Sequence, residues 1–251
     1  ARAPARADGD EIDALGLTVN AMLDRSHALM ENLRQVSSDV AHDLRTPLAR
    51  LRQTLERARD EAKTEPQFRA AIEAALAEAD GLLDTFSALL RIAQIESKSR
   101  RAGFAPVDLS AVMALARDTY GPVAEDGGRR LVATLAPGLA VSGDRELLTQ
   151  MTANLIENAL RHTPPGATVT LDLRREGQQI VARFADDGPG IPAQEREKAL
   201  RRFYRLERSR TTPGNGLGLA LVAAVVELHG GTLALGDAAP GLVVEVRLPA
   251  A

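Results

Sequence analysis

The stretch Ser38-Asp-Val-Ala-His-Asp-Leu-Arg-Thr-Pro-Leu48 lies within a long heptad pattern, at the point where that pattern changes register. Upstream of it, apolar residues recur three and four positions apart from Ile12 to Val36, which predicts a helix with a coiled-coil seam. Two consecutive steps of four residues, at Val40, Leu44 and Leu48, then interrupt the heptad spacing. The unusual features of this predicted helix therefore coincide with the quoted stretch.

A second apolar seam, from Ile72 to Leu90, follows Pro66 and predicts a second helix. The connection, at Lys63 to Gln67, is short enough to make the two helices antiparallel neighbours. Two helices cannot bury seams of this length alone, and a stable bundle usually needs four. We therefore expect a homodimer whose helical hairpins pair into a four-helix bundle. A coiled-coil spacer without chemistry is the alternative, and composition does not separate the two.

Residues 100–106, Arg-Arg-Ala-Gly-Phe-Ala-Pro, lack the heptad pattern and are interpreted as a linker. From residue 107 to residue 251 helix and strand patterns alternate, and the Glu176-Gly177 turn indicates a hairpin. The chain is therefore predicted to combine a helical bundle domain with an α/β sandwich. The predicted helices of the sandwich span about Ser110 to Glu125, Asp144 to Arg161 and the residues after Gly216, and its predicted strands lie near residues 131–135, 139–141, 168–173, 179–184, 232–235 and 242–248.

Composition excludes several classes of function. With 251 residues, 45% of them apolar, the chain is long enough for two modest domains. The sequence has no cysteine, which excludes disulfides, thiolate metal sites and thiol nucleophiles. A net charge of −3 indicates neither a nucleic-acid footprint nor a membrane-binding surface, so no nucleic-acid partner is expected.

The sequence contains no segment that is expected to cross a membrane. Its longest run of apolar and glycine residues, Leu217 to Val226, is far short of the roughly 20 residues required. The first residues, Ala-Arg-Ala-Pro, include neither an initiator Met nor a signal-peptide pattern. We therefore expect this chain to be a soluble piece of a longer protein.

His42 lies two residues from Val40, about 200° around the predicted helix, and is expected to face away from the seam. A neutral imidazole is a nucleophile near pH 7. The neighbouring Asp43 carboxylate can accept a hydrogen bond from the other ring nitrogen, which fixes the tautomer and stabilises positive charge on the ring. Pro47 removes a helical hydrogen bond to the Asp43 carbonyl, so a local hinge is expected. A solvated helical face is the alternative for a histidine taken alone.

This stretch resembles the phosphoacceptor box of sensor histidine kinases, in which a His-acid-Leu-Arg-x-Pro pattern lies in a dimerisation helix. The resemblance implies that His42 is the phosphorylated residue and that Asp43 is its acid–base helper. It also implies that Thr46, four residues on, orients water when the phosphorylated partner is dephosphorylated.

A second group of polar residues lies in the predicted helix that ends near Arg161. Asn154, Asn158 and His162 share one face of this helix, largely opposite its apolar residues. Carboxamide oxygens are hard ligands suited to Mg²⁺, which is commonly shared with nucleotide phosphates, and Arg161 adds positive charge beside them. Taken alone, an Asn-x-x-x-Asn pair is more typical of an exposed polar face.

Two glycine-rich segments follow. Asp186-Asp-Gly-Pro-Gly-Ile-Pro192 comes directly after a predicted strand, where a carboxylate can accept hydrogen bonds from an exocyclic amine such as that of adenine. An ordinary strand-ending turn is the alternative. Gly214-Asn-Gly-Leu-Gly-Leu219 opens a predicted helix, whose free amides can hold phosphate. It lacks the Gly-Lys-Ser/Thr of a Walker loop and the preceding strand of a dinucleotide fingerprint.

A basic segment from Lys198 to Pro213 separates these two motifs. A flexible basic segment over a nucleotide site would act as a lid, in which Arg205 would stabilise the γ-phosphate. A solvated run of charges is the alternative for this segment alone.

In order and spacing, the four segments within residues 105–250 resemble the N, G1, F and G2 boxes of the GHKL (Bergerat) ATP-binding domain. Histidine kinases, DNA gyrase, Hsp90-type chaperones and mismatch-repair ATPases share this domain. The resemblance implies that Asn158 ligates Mg²⁺ with Asn154 nearby, and that Asp186 reads the adenine amine. Tyr204 and Arg205 match the aromatic–arginine pair of the F box. The remaining residues that the resemblance assigns to the nucleotide site are Arg161, His162, Gly188, Gly190, Gly214, Gly216, Leu217 and Gly218.

Near the start of the chain, Gly9-Asp-Glu-Ile12 and the apolar residues after it resemble the second helix of a HAMP signal-relay module. The resemblance implies a parent protein that is anchored in the inner membrane, with this chain on the cytoplasmic side. The predicted domains are residues 1–28 (partial HAMP helix), 29–99 (dimerisation and histidine phosphotransfer), 100–106 (linker) and 107–251 (catalytic ATP binding).

Together the resemblances predict a protein-histidine kinase that uses Mg²⁺ and ATP to phosphorylate His42 and passes the phosphoryl group to an aspartate of a response regulator. They also allow a phosphatase activity toward that regulator. An ATP-driven clamp of the gyrase or chaperone sort, with Glu157 as its catalytic carboxylate, is a second hypothesis, but it gives the His42 stretch no role. A dimeric scaffold that binds nucleotide without phosphorylation is a third. The sequence fits transfer to His42 of either subunit, and it specifies neither the stimulus nor the regulator.

Overall fold

The structure of the protein is a computed structural model that describes residues 48–49, 51–60, 63–96, 103–206 and 216–251. The chain divides into two compact units, Ala1–Phe86 and Ser87–Ala251. Residues 51–60 are helical and are called α1, and the helix α2 spans Glu65–Glu96. Several predictions lie outside the described residues. They concern the HAMP helix, His42, Asp43, Thr46, Pro47, residues 100–102 of the linker, residues 207–213 of the basic segment and Gly214.

The helix α2 begins earlier than predicted. Pro66 and Gln67, which the sequence assigned to the connection, lie in its first turn. Pro66 is tolerated there because an N–H group in the first turn has no helical partner to lose. The Gln67 side chain accepts hydrogen bonds from the backbone amides of Lys63 and Thr64, at 2.8 and 3.2 Å. These contacts satisfy donors just before the helix and fix where it starts.

The predicted apolar seam of α2 is exposed in the single chain. Ile72, Leu76 and Leu83 are 55%, 59% and 65% exposed. A helix with such a face is stabilised mainly when another element covers it. The exposure is what the predicted pairing of two copies requires, and the pairing itself stays a prediction.

The second unit contains an α/β sandwich built on a five-stranded sheet with the order β2-β4-β5-β7-β6. In this sheet β2 and β4 run parallel, and the other neighbouring pairs are antiparallel. β1 and β3 form a separate two-stranded antiparallel sheet. The strands are β1 Ala105–Asp108, β2 Arg130–Leu135, β3 Ala140–Gly143, β4 Thr168–Glu176, β5 Gln179–Asp186, β6 Thr232–Asp237 and β7 Leu242–Pro249, and the helices are α3 Leu109–Asp126, α4 Arg145–His162, α5 Ala193–Ala199 and α6 Gly218–Leu228.

The helices α3, α4 and α6 pack on the sheet, with α4 between α3 and α6. Val169, Leu171 and Leu173 alternate along β4, and each is at most 1% exposed. The helix α4 buries its apolar residues, including Met151 and Leu155, whereas its two asparagines are half-buried. The amphipathic pattern therefore places the polar edge of α4 at the margin of the core, as predicted.

The predicted hairpin is confirmed, because β4 and β5 pair up to Glu176 and Gln179 around a two-residue turn. Two short elements were not predicted. Ala105 and Pro106, assigned to the linker, lie in β1, which is too short to show an alternating pattern and begins with a residue pair untypical of strands. The helix α5 has seven residues, about two turns, and so carries little periodic signal.

Within the described ranges, no helix has both the length and the apolar character that crossing a membrane requires.

Candidate functional site

The start of α4 is fixed by three hydrogen bonds of Asp144. The Asp144 side chain accepts hydrogen bonds from the amides of Glu146 and Leu147, at 2.9 and 3.2 Å, as a helix N-cap does. The Asp144 amide donates to Nε2 of His229, at 3.1 Å. Because α4 is a continuous helix from this cap, the contacts determine where Asn154 and Asn158 are presented.

His229, at the end of α6, was not singled out from the sequence. Its Nδ1 lies 2.7 Å from the Val225 carbonyl, which can only accept, so Nδ1 carries the proton and Nε2 is the acceptor for the Asp144 amide. The ring is buried and stacks on Phe104, with ring centroids 4.7 Å apart. A neutral, buried histidine therefore joins the end of α6 to the start of α4. The only hint in the sequence was a polar residue directly after an apolar helix.

The two asparagines of α4 lie beside the first residue of α6. A Cβ atom added at Gly218 would lie 3.8 Å from the side-chain amide atoms of Asn158 and 3.9 Å from Oδ1 of Asn154. Leu217, just before the helix, is buried. The structure thus brings the predicted N and G2 boxes together. The carboxamides of both asparagines lie beside the start of α6, where backbone amides have no helical partner.

Asp186 ends β5 and is held by backbone amides. Its Oδ1 accepts hydrogen bonds from Gly188, at 2.9 Å, and from Leu242, at 3.4 Å. Burial raises the pKa of Asp186 above its usual value, the two backbone amides partly offset this, and the nearby charge of Asp187 raises the pKa further. The result is a half-buried carboxylate with acceptor capacity left for a ligand.

Asp187, the next residue, binds the start of β4, because its Oδ1 accepts a hydrogen bond from the Thr168 amide at 2.9 Å. The turn after it leaves no room for a side chain at either of its two glycines. A Cβ atom at Gly188 would lie 2.8 Å from Oδ1 of Asp186, and one at Gly190, where φ is +63°, would lie 2.6 Å from the Gly241 carbonyl oxygen. Both glycines are therefore required by close approach.

The F box and the G2 box also meet. The Phe203 amide donates to the Gly216 carbonyl at 3.0 Å. A Cβ atom at Gly216, where φ is +67°, would lie 2.9 Å from the Tyr204 carbonyl oxygen and 3.1 Å from Cγ of Arg205. The predicted aromatic–arginine pair therefore lies next to the G2 box.

Arg161 and His162 are exposed in the last turn of α4. Basic side chains at this position interact favourably with the negative end of the helix dipole. The backbone of His162 borders the G1 turn, since its carbonyl oxygen would lie 3.5 Å from a Cβ atom at Gly188.

Glu157, between the two asparagines in the sequence, contacts a different neighbour of α4. The Tyr120 hydroxyl of α3 donates to its Oε1 at 2.5 Å. Burial first, and then the hydrogen bond and charge of Glu157, raise the pKa of Tyr120 to about 12. Glu157 therefore faces α3, whereas Asn158 faces α6.

A polar edge of α4, a helix that opens at Gly218 and a carboxylate at the end of β5, arranged on a mixed sheet, define an ATP-binding domain of the GHKL class. Residues 143–251 match the family of histidine kinase-, DNA gyrase B- and HSP90-like ATPases. Residues 32–98 match the His Kinase A (phospho-acceptor) domain.

The chain is similar to sensor proteins along most of its length. It is 34% identical to sensor protein IrlS of Burkholderia pseudomallei over 224 residues, which cover 88% of this chain and 48% of IrlS. It is 31% identical to the signal transduction histidine-protein kinase BaeS of Escherichia coli over 244 residues, covering 96% of this chain and 52% of BaeS. The chain spans about half the length of the curated relatives that it matches.

Solved structures agree with this assignment. The mycobacterial sensor histidine kinase MprB matches with a TM-score of 0.51 and 33% identity, over 59% of this chain and 97% of that chain. The Acinetobacter baumannii histidine kinase AdeS has a TM-score of 0.62 over 83% of this chain and 97% of that chain, and at 22% identity it supports the fold alone. The chain belongs to the sensor histidine kinases of two-component systems.

Proposed function

We propose that this chain transfers the γ-phosphoryl group of ATP to His42 and then donates it to an aspartate of a response regulator. The observation that carries the proposal is the presence, in one chain, of a phosphoacceptor domain spanning residues 32–98 and an ATP-binding domain whose N, G1, F and G2 boxes contact one another. His42 lies outside the described residues, so its role rests on the sequence.

In this proposal Asp186 accepts a hydrogen bond from the adenine amine, and the amides at the start of α6 hold phosphate. The contacts of Asp186 support adenine recognition, since the carboxylate can accept further hydrogen bonds besides those from its two backbone amides. The phosphate end of the nucleotide would then lie beside Asn154 and Asn158, next to Gly218.

Mg²⁺ fits the residues present. Among the described residues, no cluster of three or more acidic or histidine side chains could hold a metal ion by itself. A site made of the Asn158 carboxamide, phosphate oxygens and water is instead typical of Mg²⁺, which would neutralise charge on the phosphates.

In the proposed transfer the protein supplies the nucleophile and positions it. The unprotonated ring nitrogen of His42 bonds to the γ-phosphorus, the bond from that phosphorus to the bridging oxygen breaks, and ADP departs with the bonding electrons. Asp43 would accept a hydrogen bond from the other ring nitrogen and stabilise the positive charge that develops. Positioning of the two groups supplies most of the remaining rate enhancement.

We further propose that the chain acts as a homodimer and that its partner is a response regulator. The exposed apolar seam of α2 supports pairing of two copies. A solved chain of the same fold, histidine kinase ThkA, is in complex with response regulator protein TrrA. The partial HAMP helix, the membrane anchor of the parent and the phosphatase role of Thr46 stay predictions.

The test is to incubate the purified chain with γ-labelled ATP and Mg²⁺. We expect label to be retained on the protein, stable in alkali and labile in acid, as a phosphohistidine is. Turnover of ATP without retained label would favour the clamp hypothesis, and nucleotide binding without either would favour the scaffold.

Glu157→Gln separates the kinase from the clamp. Because Glu157 is bonded to Tyr120 on the α3 side of α4, we expect the variant to retain label within about threefold of wild type. A general base would instead lose about a hundredfold or more. Gln keeps an oxygen that can accept from Tyr120, so the packing of α3 on α4 is preserved. A loss of about a hundredfold in the rate of ATP turnover would show that Glu157 acts as a general base and would favour the clamp.

Asp187→Asn tests the electrostatics of Asp186. The proposed hydrogen bond needs an ionised carboxylate, so ATP affinity should fall as the pH drops through the pKa of Asp186, which is raised. The Asp187 charge contributes to that rise, and Asn keeps the oxygen that accepts from Thr168. We therefore expect the pH below which ATP affinity falls to be lower in the variant than in wild type.

The measurement is the ATP dissociation constant as a function of pH, with Asp118→Asn on the exposed side of α3 as the control. If the pH at which ATP affinity falls is unchanged or higher in Asp187→Asn, the charge of Asp187 does not raise the pKa of Asp186.

A further inference from the structure

Arg129, at the end of the turn between α3 and β2, is hydrogen-bonded to the residue that ends α4, Thr163. Its Nε and Nη2 donate to the Thr163 carbonyl, at 3.0 and 2.5 Å, and Nε also lies 3.3 Å from the Thr163 hydroxyl. Its Nη1 donates to the Gly127 carbonyl at 2.8 Å. One guanidinium therefore joins two segments that are 34 residues apart in the chain.

The surroundings of Arg129 are shaped for this contact. A Cβ atom at Gly127 would lie 2.7 Å from Nη1 of Arg129, so a larger residue would displace the guanidinium. The Gly166 amide donates to the Gly128 carbonyl at 2.6 Å, which ties the same two loops together a second time. A cation at this end of α4 also complements the helix dipole.

Thr163 lies between Arg129 and the proposed nucleotide site. It is buried, with 4% exposure, and its hydroxyl donates back to the Ala159 carbonyl at 2.8 Å. Its methyl carbon would lie 2.9 Å from a Cβ atom at Gly188, so Thr163 packs directly against the G1 turn. The Gly188 amide in turn donates to Oδ1 of Asp186 at 2.9 Å.

We propose that Arg129 is a positioning residue for base recognition, which acts through Thr163 and Gly188 to hold Asp186 in the orientation that reads the adenine amine. The inference rests on the proposed nucleotide-binding role of Asp186. It adds a residue outside all four boxes. Without Arg129, the end of α4 is free to move away from Gly188, and Asp186 loses the amide that fixes its carboxylate.

The geometry requires a guanidinium. Two carbonyl groups on different loops accept from different nitrogens of Arg129, which a single ammonium cannot reproduce in the same directions. The neighbouring Arg130 supplies a matched control, because it is exposed on the sheet edge and donates to the Thr168 hydroxyl at 3.3 Å.

The experiment compares ATP with purine riboside triphosphate, which lacks the exocyclic amine, in binding to wild type, Arg129→Met, Arg129→Lys and Arg130→Met. In wild type we expect ATP to bind about tenfold or more tightly than the analogue, because a hydrogen bond to a charged group is lost with the amine. In Arg129→Met we expect this ratio to fall to about twofold while affinity for the analogue stays close to wild type. Arg129→Lys should be intermediate, and Arg130→Met should keep the wild-type ratio.

Thermal unfolding of each variant accompanies the binding measurements, and Arg129→Lys retains the test if Arg129→Met does not fold. Equal weakening of both nucleotides in the Arg129 variants would show a general structural role and overturn the proposal, as would an unchanged ratio. A wild-type chain that binds both nucleotides equally would instead refute the role of Asp186, and the proposal for Arg129 would fall with it.

Discussion

His42→Gln is expected to reduce the retained label to background in the presence of γ-labelled ATP and Mg²⁺. Glutamine has a similar length and polarity, but its amide nitrogen is not a nucleophile and cannot hold a phosphoryl group. The substitution lies in the matched phosphoacceptor domain, in the first unit, whereas the proposed nucleotide site lies in the second. ATP affinity should therefore remain at the wild-type value.

The matched control is His27→Gln, a histidine in the same N-terminal half of the chain. We expect this variant to be labelled as wild type is. Label and ATP affinity are measured on the same samples, so that a loss of transfer is separated from a loss of binding. Equal labelling of His42→Gln and wild type would place the phosphoryl group on another residue and refute the proposal.

Much of the second unit follows from local patterns in the sequence. Asp144 is followed by apolar residues at helical spacing, and the structure has a helix from Arg145 to His162 with Asp144 as its N-cap. The hairpin formed by β4 and β5 is equally local, since a tight turn determines which residues of the two strands pair. Such features depend on residues a few positions apart, which is why the sequence alone predicts them.

The helix α5 was missed because its seven residues carry little periodic signal. The other parts that were missed depend on contacts between distant residues. β1 is a strand because Val107 pairs with Val141, and nothing within four residues of Val107 predicts that partner. His229 has a role because the end of α6 meets the start of α4. Arg129 belongs to no motif, and its role depends on Thr163, which is 34 residues away in the chain. In each case the decisive information is the packing of elements, which a motif does not contain.

The helix α4 connects the two kinds of information. Its amphipathic pattern predicted which residues form the polar edge, but not which neighbour each polar residue meets. The structure resolves this, because Glu157 is bonded to Tyr120 of α3 and Asn158 lies beside Gly218 of α6. Adjacent residues therefore serve different purposes, one in helix packing and the other at the proposed phosphate site.

Asn158→Ala is expected to reduce the retained label to background while leaving the fold and the proposed dimer intact. Its carboxamide is the proposed ligand for Mg²⁺, and without the metal ion the charge on the transferring phosphoryl group is not neutralised. Stability should change little, because Asn158 is half-buried at the edge of α4 and alanine is the residue most favourable to helix.

The control for this variant is Thr149→Ala, which changes α4 about two and a half turns earlier. There the Thr149 hydroxyl donates to the Arg145 carbonyl at 2.8 Å. It should be labelled as wild type is. Retained label, thermal unfolding and the mass in solution by light scattering are measured together for both variants. Wild-type labelling of Asn158→Ala would exclude this side chain from the metal site. A monomeric Asn158→Ala beside a dimeric wild type would show that the substitution reaches the helical bundle, contrary to a role confined to the nucleotide site.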